Sequence, residues 1–250
     1  MRTVYVVVVS SVLAACGSIP QPERARVVQL GPSGEASEND LREGVRLLFD
    51  RPVVAAEEVG RDLPQAPVRF APAVEGRARW IDRQTLVFTP TGTLKRETRY
   101  RVTLGAPLGP VDGGAAKVTV WSGEFVFERL EARRVAFAAP RESFQPPEPV
   151  LSILFNHQVA PAAVAKQCLF DGPAGAVPAR LAAEGHDGAA ATATVRLRPT
   201  KPLPAGSAHH FRCSAGLKGL EGAEGLARDV DAPFRTYGSL AVESMSPAGN

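Results

Sequence analysis

The sequence predicts an all-β protein made of two tandem antiparallel β-sandwich domains, and three observations predict it. A residue pattern recurs at a nearly constant offset, apolar residues alternate with polar ones in short runs, and glycine and proline are abundant. Residues 45–53 (VRLLFDRPV) read against residues 151–159 (LSILFNHQV), with Phe49 facing Phe155 at an offset of 106 positions. Residues 86–94 then read against residues 195–203, where Pro90 and Pro199 lie 109 positions apart. The same 109 carries Tyr100 onto His209, Val102 onto Phe211 and Phe125 onto Phe234. An offset held across several separate segments, slipping once by three, marks two copies of one domain. With 23 Gly and 22 Pro in 250 residues and only 6% aromatics, turns are frequent and regular elements short.

Each copy opens on a strand whose alternation buries one face, through Val45, Leu47 and Phe49 in the first and Leu151, Ile153 and Phe155 in the second. Later strands of the first copy are expected at 77–81, 84–89, 99–104 and 124–127, with Asp82-Arg83 as a two-residue hairpin turn. The second copy answers at 177–183, 192–198, 208–214 and 232–237. Pro90 and Pro199 each close a strand because proline offers no N–H to the ladder. Asp112-Gly113-Gly114 reads as a hairpin turn, and the prolines within 140–149 make a linker or a lead-in strand. A turn or so of helix is expected at 161–166, and about seven strands per copy result.

Charge adds little. The 29 basic and 26 acidic residues, a formal net charge of +3, are scattered without a basic run or an aromatic platform, so a nucleic-acid partner is not expected.

Arg2, the apolar run from Val4 to Leu13 and the segment Leu13-Ala14-Ala15-Cys16 have the order of an export signal. With a cysteine directly after the small pair, the segment resembles the lipobox of bacterial lipoproteins. That resemblance implies removal of residues 1–15, diacylation of the Cys16 thiol and acylation of the new N-terminus, enough chains for stable anchoring. The implied partner is a membrane, held through lipid at Cys16, with the protein facing the periplasm in the cell envelope. Gly17 and not Asp follows Cys16, so the outer membrane is the default, and inner against outer stays open. The alternative is a plain secretory signal with an incidental cysteine; about ten apolar residues are too few to cross a bilayer.

Residues Trp80-Ile81-Asp82-Arg83-Gln84-Thr85-Leu86-Val87-Phe88-Thr89-Pro90, continued by Thr98-Arg99-Tyr100-Arg101-Val102, resemble bacterial Ig-like domains. In the second copy, Phe155-Asn156-His157-Gln158-Val159, the run from Pro199 to Pro204 and Phe234-Arg235-Thr236-Tyr237-Gly238-Ser239-Leu240 resemble the N-terminal domains of bacterial alpha-2-macroglobulin-like lipoproteins. The resemblance implies two tandem Ig-like, macroglobulin-type sandwiches after a lipoprotein signal peptide. The division is signal peptide 1–15, anchor linker and lead-in strand 16–39, first sandwich 40–131, second sandwich 132–238, and 239–250 as the start of a truncated further domain or a tail. It further implies the lipid-anchored scaffold part of a periplasmic endopeptidase inhibitor of the host-defence or colonisation type, and no enzyme.

Members of that family trap proteases after cleavage of a bait region, many through a thioester within Cys-X-Glu-Gln. Here Cys16 is followed by Gly17-Ser18-Ile19, Cys168 by Leu169-Phe170-Asp171 and Cys213 by Ser214-Ala215-Gly216, so the motif is missing. Bait region and thioester are then expected in a downstream region, through which proteases would be partners; other envelope proteins are further partners. The alternative is a stand-alone Ig-like envelope lipoprotein acting as a binding or scaffold module.

With Cys16 set aside, Cys168 and Cys213 are the one possible pair in an oxidising compartment. The repeat carries Cys213 onto Leu104, on the inward face with Tyr100 and Val102. A Cys168–Cys213 disulfide would stabilise by roughly 3 to 4 kcal/mol through loop closure; the alternative is two separately buried thiols. The histidines are His157, His186, His209 and His210. His209 and Cys213 would lie about 13 Å apart along a strand, too far to share a metal, and adjacent His209 and His210 face opposite ways. His209 is expected to be the half-buried counterpart of Tyr100. Ser122-Gly123 and Ser214 lack the strand-turn-helix setting of a hydrolase nucleophile, and no glycine-rich phosphate loop precedes a helix. Glu57-Glu58, Glu221 and Glu224 read as solvated loop carboxylates, and Trp80 and Trp121 as packing residues. No catalytic group, cofactor or metal is expected.

Overall fold

A computed structural model describes residues 24–105, 108, 110–111, 114–115, 118–138, 144–182 and 191–238. Signal segment, Cys16, Gly17, His186, Asp112-Gly113 and residues 239–250 lie outside them. The chain is all-β and follows the repeat. In the first unit the strands are β1 (Val27–Gly31), β2 (Gly34–Ala36), β3 (Val45–Phe49), β4 (Val68–Ala71), β5 (Gly76–Trp80), β6 (Thr85–Pro90), β7 (Thr98–Leu104), a small hairpin of β8 (Pro110–Val111) with β9 (Gly114–Ala115), and β10 (Ser122–Phe127). They form two four-stranded sheets ordered β1-β3-β6-β5 and β2-β10-β7-β4.

The second unit has β11 (Ala132–Phe137), β12 (Phe144–Gln145), β13 (Leu151–Val159), helix α2 (Pro161–Gln167), β14 (Cys168–Asp171), β15 (Val177–Leu181), β16 (Thr192–Pro199), β17 (Ala208–Cys213) and β18 (Val230–Thr236). Its order is β11-β13-β16-β15-β14-β17-β18-β12. That is the first unit's order strand for strand, with one difference. β14 pairs with β15, Leu169 opposite Pro178 and Phe170 opposite Val177, and so joins the two halves into one nearly barrel-like sheet. Even the hand of pairing repeats, since β2 with β10 and β12 with β18 are the parallel pairs in otherwise antiparallel sheets.

Each unit has its own core, because the alternating residues of both halves turn inward. The first gathers Leu47, Phe49, Trp80, Leu86, Phe88, Tyr100, Val102 and Phe125. The second gathers Leu151, Ile153, Phe155, Phe170, Val195, Leu197, Phe211 and Phe234. Trp80 is buried against Phe49 at 5.7 Å between ring centroids, and Trp121 packs at the core's edge. At about 1.5–3 kcal/mol for each large apolar side chain removed from water, the strand faces account for the fold.

Three expectations change. The β5–β6 connection is not a two-residue turn: Ile81 N–H donates to the Thr85 carbonyl, and the Asp82 carboxylate accepts from Gln84 N–H at 2.7 Å, an Asx turn that lengthens the loop. Eight strands per unit, plus the β8–β9 hairpin, exceed the expected seven, because β2 and β12 are too short to carry a period. Helix α1 (Glu38–Arg42) was unforeseen; Ser37 and Asp40 cap it reciprocally, Asp40 N–H to the Ser37 hydroxyl and Ser37 N–H to the Asp40 carboxylate. Helix α2, with proline in its first turn, lies where the short helix is expected.

Candidate functional site

The densest polar constellation joins the two units. The loop between β17 and β18, residues 214–229, reaches the turn ahead of β7. There the Glu97 carbonyl accepts from Ala223 N–H and Glu224 N–H, both at 2.9 Å. The Glu97 carboxylate accepts from Gly219 N–H at 2.7 Å, and Glu97 N–H donates to the Glu128 carbonyl at 3.2 Å. Glu97 is wholly buried, and its Oε1 has no hydrogen-bond partner among the described residues. Burial pushes its carboxyl above the usual carboxylate range; the Gly219 N–H opposes this, and the Glu221 charge adds to it.

Glu224 is the opposite case. Its carboxylate is gripped by Arg99 at 2.9 and 3.1 Å and reached by Arg129 at 3.0 Å. The Arg99 hydrogen bonds hold it below the usual range against the effect of burial, and the Arg99 and Arg129 charges help. Arg99 also pairs with Glu124 at 2.7 Å, and Arg129 donates to the Gly225 carbonyl at 3.2 Å and lies 3.0 Å from Glu35. Arg96 pairs with Glu221 at 3.2 Å on the rim. From β13, His157 Nε2 lies 3.1 Å from the Glu128 carbonyl and 3.4 Å from its carboxylate. Two clefts flank the joint. One of about 590 Å³ is lined by Glu35, Arg129, Glu131, Arg228 and Asp231, and one of about 490 Å³ by Leu94, Arg96 and Glu221.

Two sequence expectations are corrected here. Glu221 and Glu224 are not merely solvated loop carboxylates but ion-pair partners across the units. His209 is not half-buried but 1% exposed, stacked on Phe234 at 5.4 Å, with Nε2 3.2 Å from the Pro204 carbonyl. Cys168 and Cys213 form a disulfide between neighbouring residues of β14 and β17. His210 is surface-facing, Nδ1 2.7 Å from Asp231, beside the Arg212–Asp171 pair at 2.9 Å. Glu57 and Glu58 lie in a 3-10 turn, Glu57 exposed and Glu58 half-buried. Among the described residues no group of three or more His, Cys, Asp or Glu could hold a metal ion, and no helix is long and apolar enough to cross a membrane.

No family model matches the chain, and no curated protein does. Solved structures that match are an L,D-transpeptidase from Mycobacterium tuberculosis H37Rv, at 14% identity and TM-score 0.24 over 64% of this chain and 59% of that one. L,D-transpeptidase 3 from Mycobacterium tuberculosis follows at 14% identity and TM-score 0.25 over 64% and 58%, so this chain spans about three fifths of each of these two. The same enzyme in complex with a faropenem-derived adduct matches at 10% identity and TM-score 0.26 over 85% and 98%. The comparisons give no evidence for an alpha-2-macroglobulin-like or Ig-like family, which overturns that kinship and, with it, both the protease-inhibitor reading and the Ig-like scaffold reading. The expectation that the chain is no enzyme is withdrawn as well, since it followed from that kinship and the comparisons give it no support. At these TM-scores they assign this chain neither their fold nor their activity.

Proposed function

We propose that the chain is a lipid-anchored protein of the bacterial cell envelope, tethered through Cys16, whose two β domains, 40–131 and 132–238, work as one stiff stem at the periplasmic face of a membrane. The observation that supports this is the joint. A single-chain linker leaves neighbouring domains free to reorient. Here three backbone amides of the second unit are spent on one residue of the first, and Glu224 ties Arg99 and Arg129 from partly buried positions. An exposed ion pair contributes about 0–1 kcal/mol and each hydrogen bond about 1 kcal/mol. Acting together over one interface, they favour a single relative orientation. A stem of this kind sets the distance and angle at which its far end stands from the lipid surface.

The test compares the full chain with Cys16→Ala in a bacterial host. The wild type is expected to partition with membranes and to carry a lipid-sized mass increment, both lost in the variant. A soluble, unacylated wild-type product refutes the anchor. Small-angle scattering of the protein in detergent is expected to fit one inter-domain arrangement, and a broad ensemble refutes the stem.

A further inference from the structure

Glu97 occupies the position that glycine takes in the second unit. Its φ is 52°, in the left-handed region that costs a residue with a Cβ about 1 kcal/mol or more. The repeat offset of 109 carries Glu97 onto Gly206, whose φ is 65°. Where the second unit satisfies this turn with glycine, the first tolerates strain and places a carboxylate there. Glu128, which accepts from Glu97 N–H, also has a positive φ, 46°. The strain at Glu97 is retained where its side chain meets the other unit. Gly219 and Gly222 let the loop close down on it, since a Cβ at Gly219 would fall on the carboxylate and one at Gly222 on the Arg96 and Glu97 carbonyls.

We propose that Glu97 is a proton-sensitive latch: its buried side chain holds the 214–229 loop, and with it the second unit, firmly docked when neutral and loosens it when ionised. The proposal rests on the two-unit stem and gives that stem a regulated stiffness. Among the described residues the buried carboxylate has one N–H donor on one oxygen and none on the other. Ionised, it is poorly solvated. The charges around it come from every element at the joint. Glu221 and Glu224 lie on the loop, Arg96 and Arg99 flank Glu97, Glu124, Glu128 and Arg129 lie on or beyond β10, Glu35 on β2, and His157 on β13. The arginines are engaged by Glu221, Glu224, Glu124 and Glu35, so none of them compensates Glu97 directly.

The sign follows. Burial raises the docked carboxyl above its ordinary value, so docking favours the proton. Docking is tightest below the ordinary carboxyl value, weakens as pH climbs from there to the raised value, and is level above it. Each unit of separation between docked and undocked values is worth tenfold in the docking equilibrium. Below the ordinary carboxylate range Glu224 loses its ion pairs, which bounds the tight window on the acid side.

Hydrogen exchange of the full chain reads the latch at the amides it holds: Gly219, Ala223 and Glu224. Their protection factors, corrected for intrinsic exchange, are expected to fall several-fold between about pH 5 and about pH 8, above the range where ordinary carboxylates titrate. In Glu97→Gln, whose amide is always neutral, they should stay high and nearly independent of pH. Glu97→Gly relieves the backbone strain and deletes the side chain; Gly219 is expected to lose protection at every pH, and Ala223 and Glu224, held by the carbonyl alone, to fall below the low-pH wild type without a pH dependence. Strong protection that is equally flat in wild type and Glu97→Gln overturns the latch and leaves the stem standing. The same pH dependence in both also overturns it. Amides unprotected at every pH in the wild type overturn the stem itself.

Discussion

The Tyr100 hydroxyl accepts from Lys95 N–H at 2.9 Å while its ring stacks on Phe125 at 5.6 Å. In the second unit His209 makes the same two contacts with different atoms, Nε2 to the Pro204 carbonyl and its ring on Phe234. In both, the partner lies five residues upstream. The pairing of Tyr100 with His209 is legible from the repeat; the hydrogen bonds are not, because an offset reports equivalent positions and not what each polar tip finds. Tyr100→Phe keeps the ring and removes the acceptor from a half-buried N–H. It should cost about 1–3 kcal/mol, seen as a lower urea midpoint of the protein. An unchanged midpoint would mean that water serves Lys95 equally well. Glu97 marks the limit of reading at this scale: its conformational demand can be inferred from Gly206, but its partners lie more than 120 positions away at Gly219, Ala223 and Glu224.

Among elements, legibility follows length and alternation. β13 shows a nine-residue burial alternation and β16 ends in a clean one, and both stand out in the sequence. β2 and β12, at three and two residues, are held by a neighbour's backbone and show no period of their own. β4, four residues between prolines, fails for the same reason. Its counterpart β14 explains the disulfide. Val68 opposite Leu104 in the first unit becomes Cys168 opposite Cys213 in the second, a covalent pair in place of an apolar one. The bond spans 45 positions, and loop closure of that length is worth about 4 kcal/mol in the chain-entropy model. A Cys168→Val, Cys213→Leu double variant copies the first unit's solution. It should recover part of that loss, whereas a Cys168→Ser, Cys213→Ser pair should lose it in full. Calorimetry on the three proteins checks the order: wild type, then Val/Leu, then Ser/Ser. Equal melting of the two variants would mean that packing at this pair contributes nothing beyond the cross-link.

At the scale of the whole molecule, the two copies differ most where they meet. The loop after β17 carries glycines at 216, 219, 222 and 225. Of these, Gly219 and Gly222 lie against the first unit, while Gly225 packs on the loop's own Gly216 and Leu217. Gly222 meets backbone there, and a Cβ on it would fall on the Glu97 carbonyl and stand about 2.5 Å from the Arg96 carbonyl oxygen, with backbone that cannot swing aside. Gly222→Ala should therefore push the loop off β7 without touching either core, since Leu47, Phe125, Ile153 and Phe211 lie wholly inside their own units. The expected result is uncoupling. A docked wild type should unfold with its units linked, and the variant should show two separable transitions, each little changed in enthalpy. Gly92→Ala is the control, because a Cβ there meets nothing within 4 Å. If Gly222→Ala melts like the control, the joint follows from the folding of the units without coupling them, and stiffness would have to come from the linker alone.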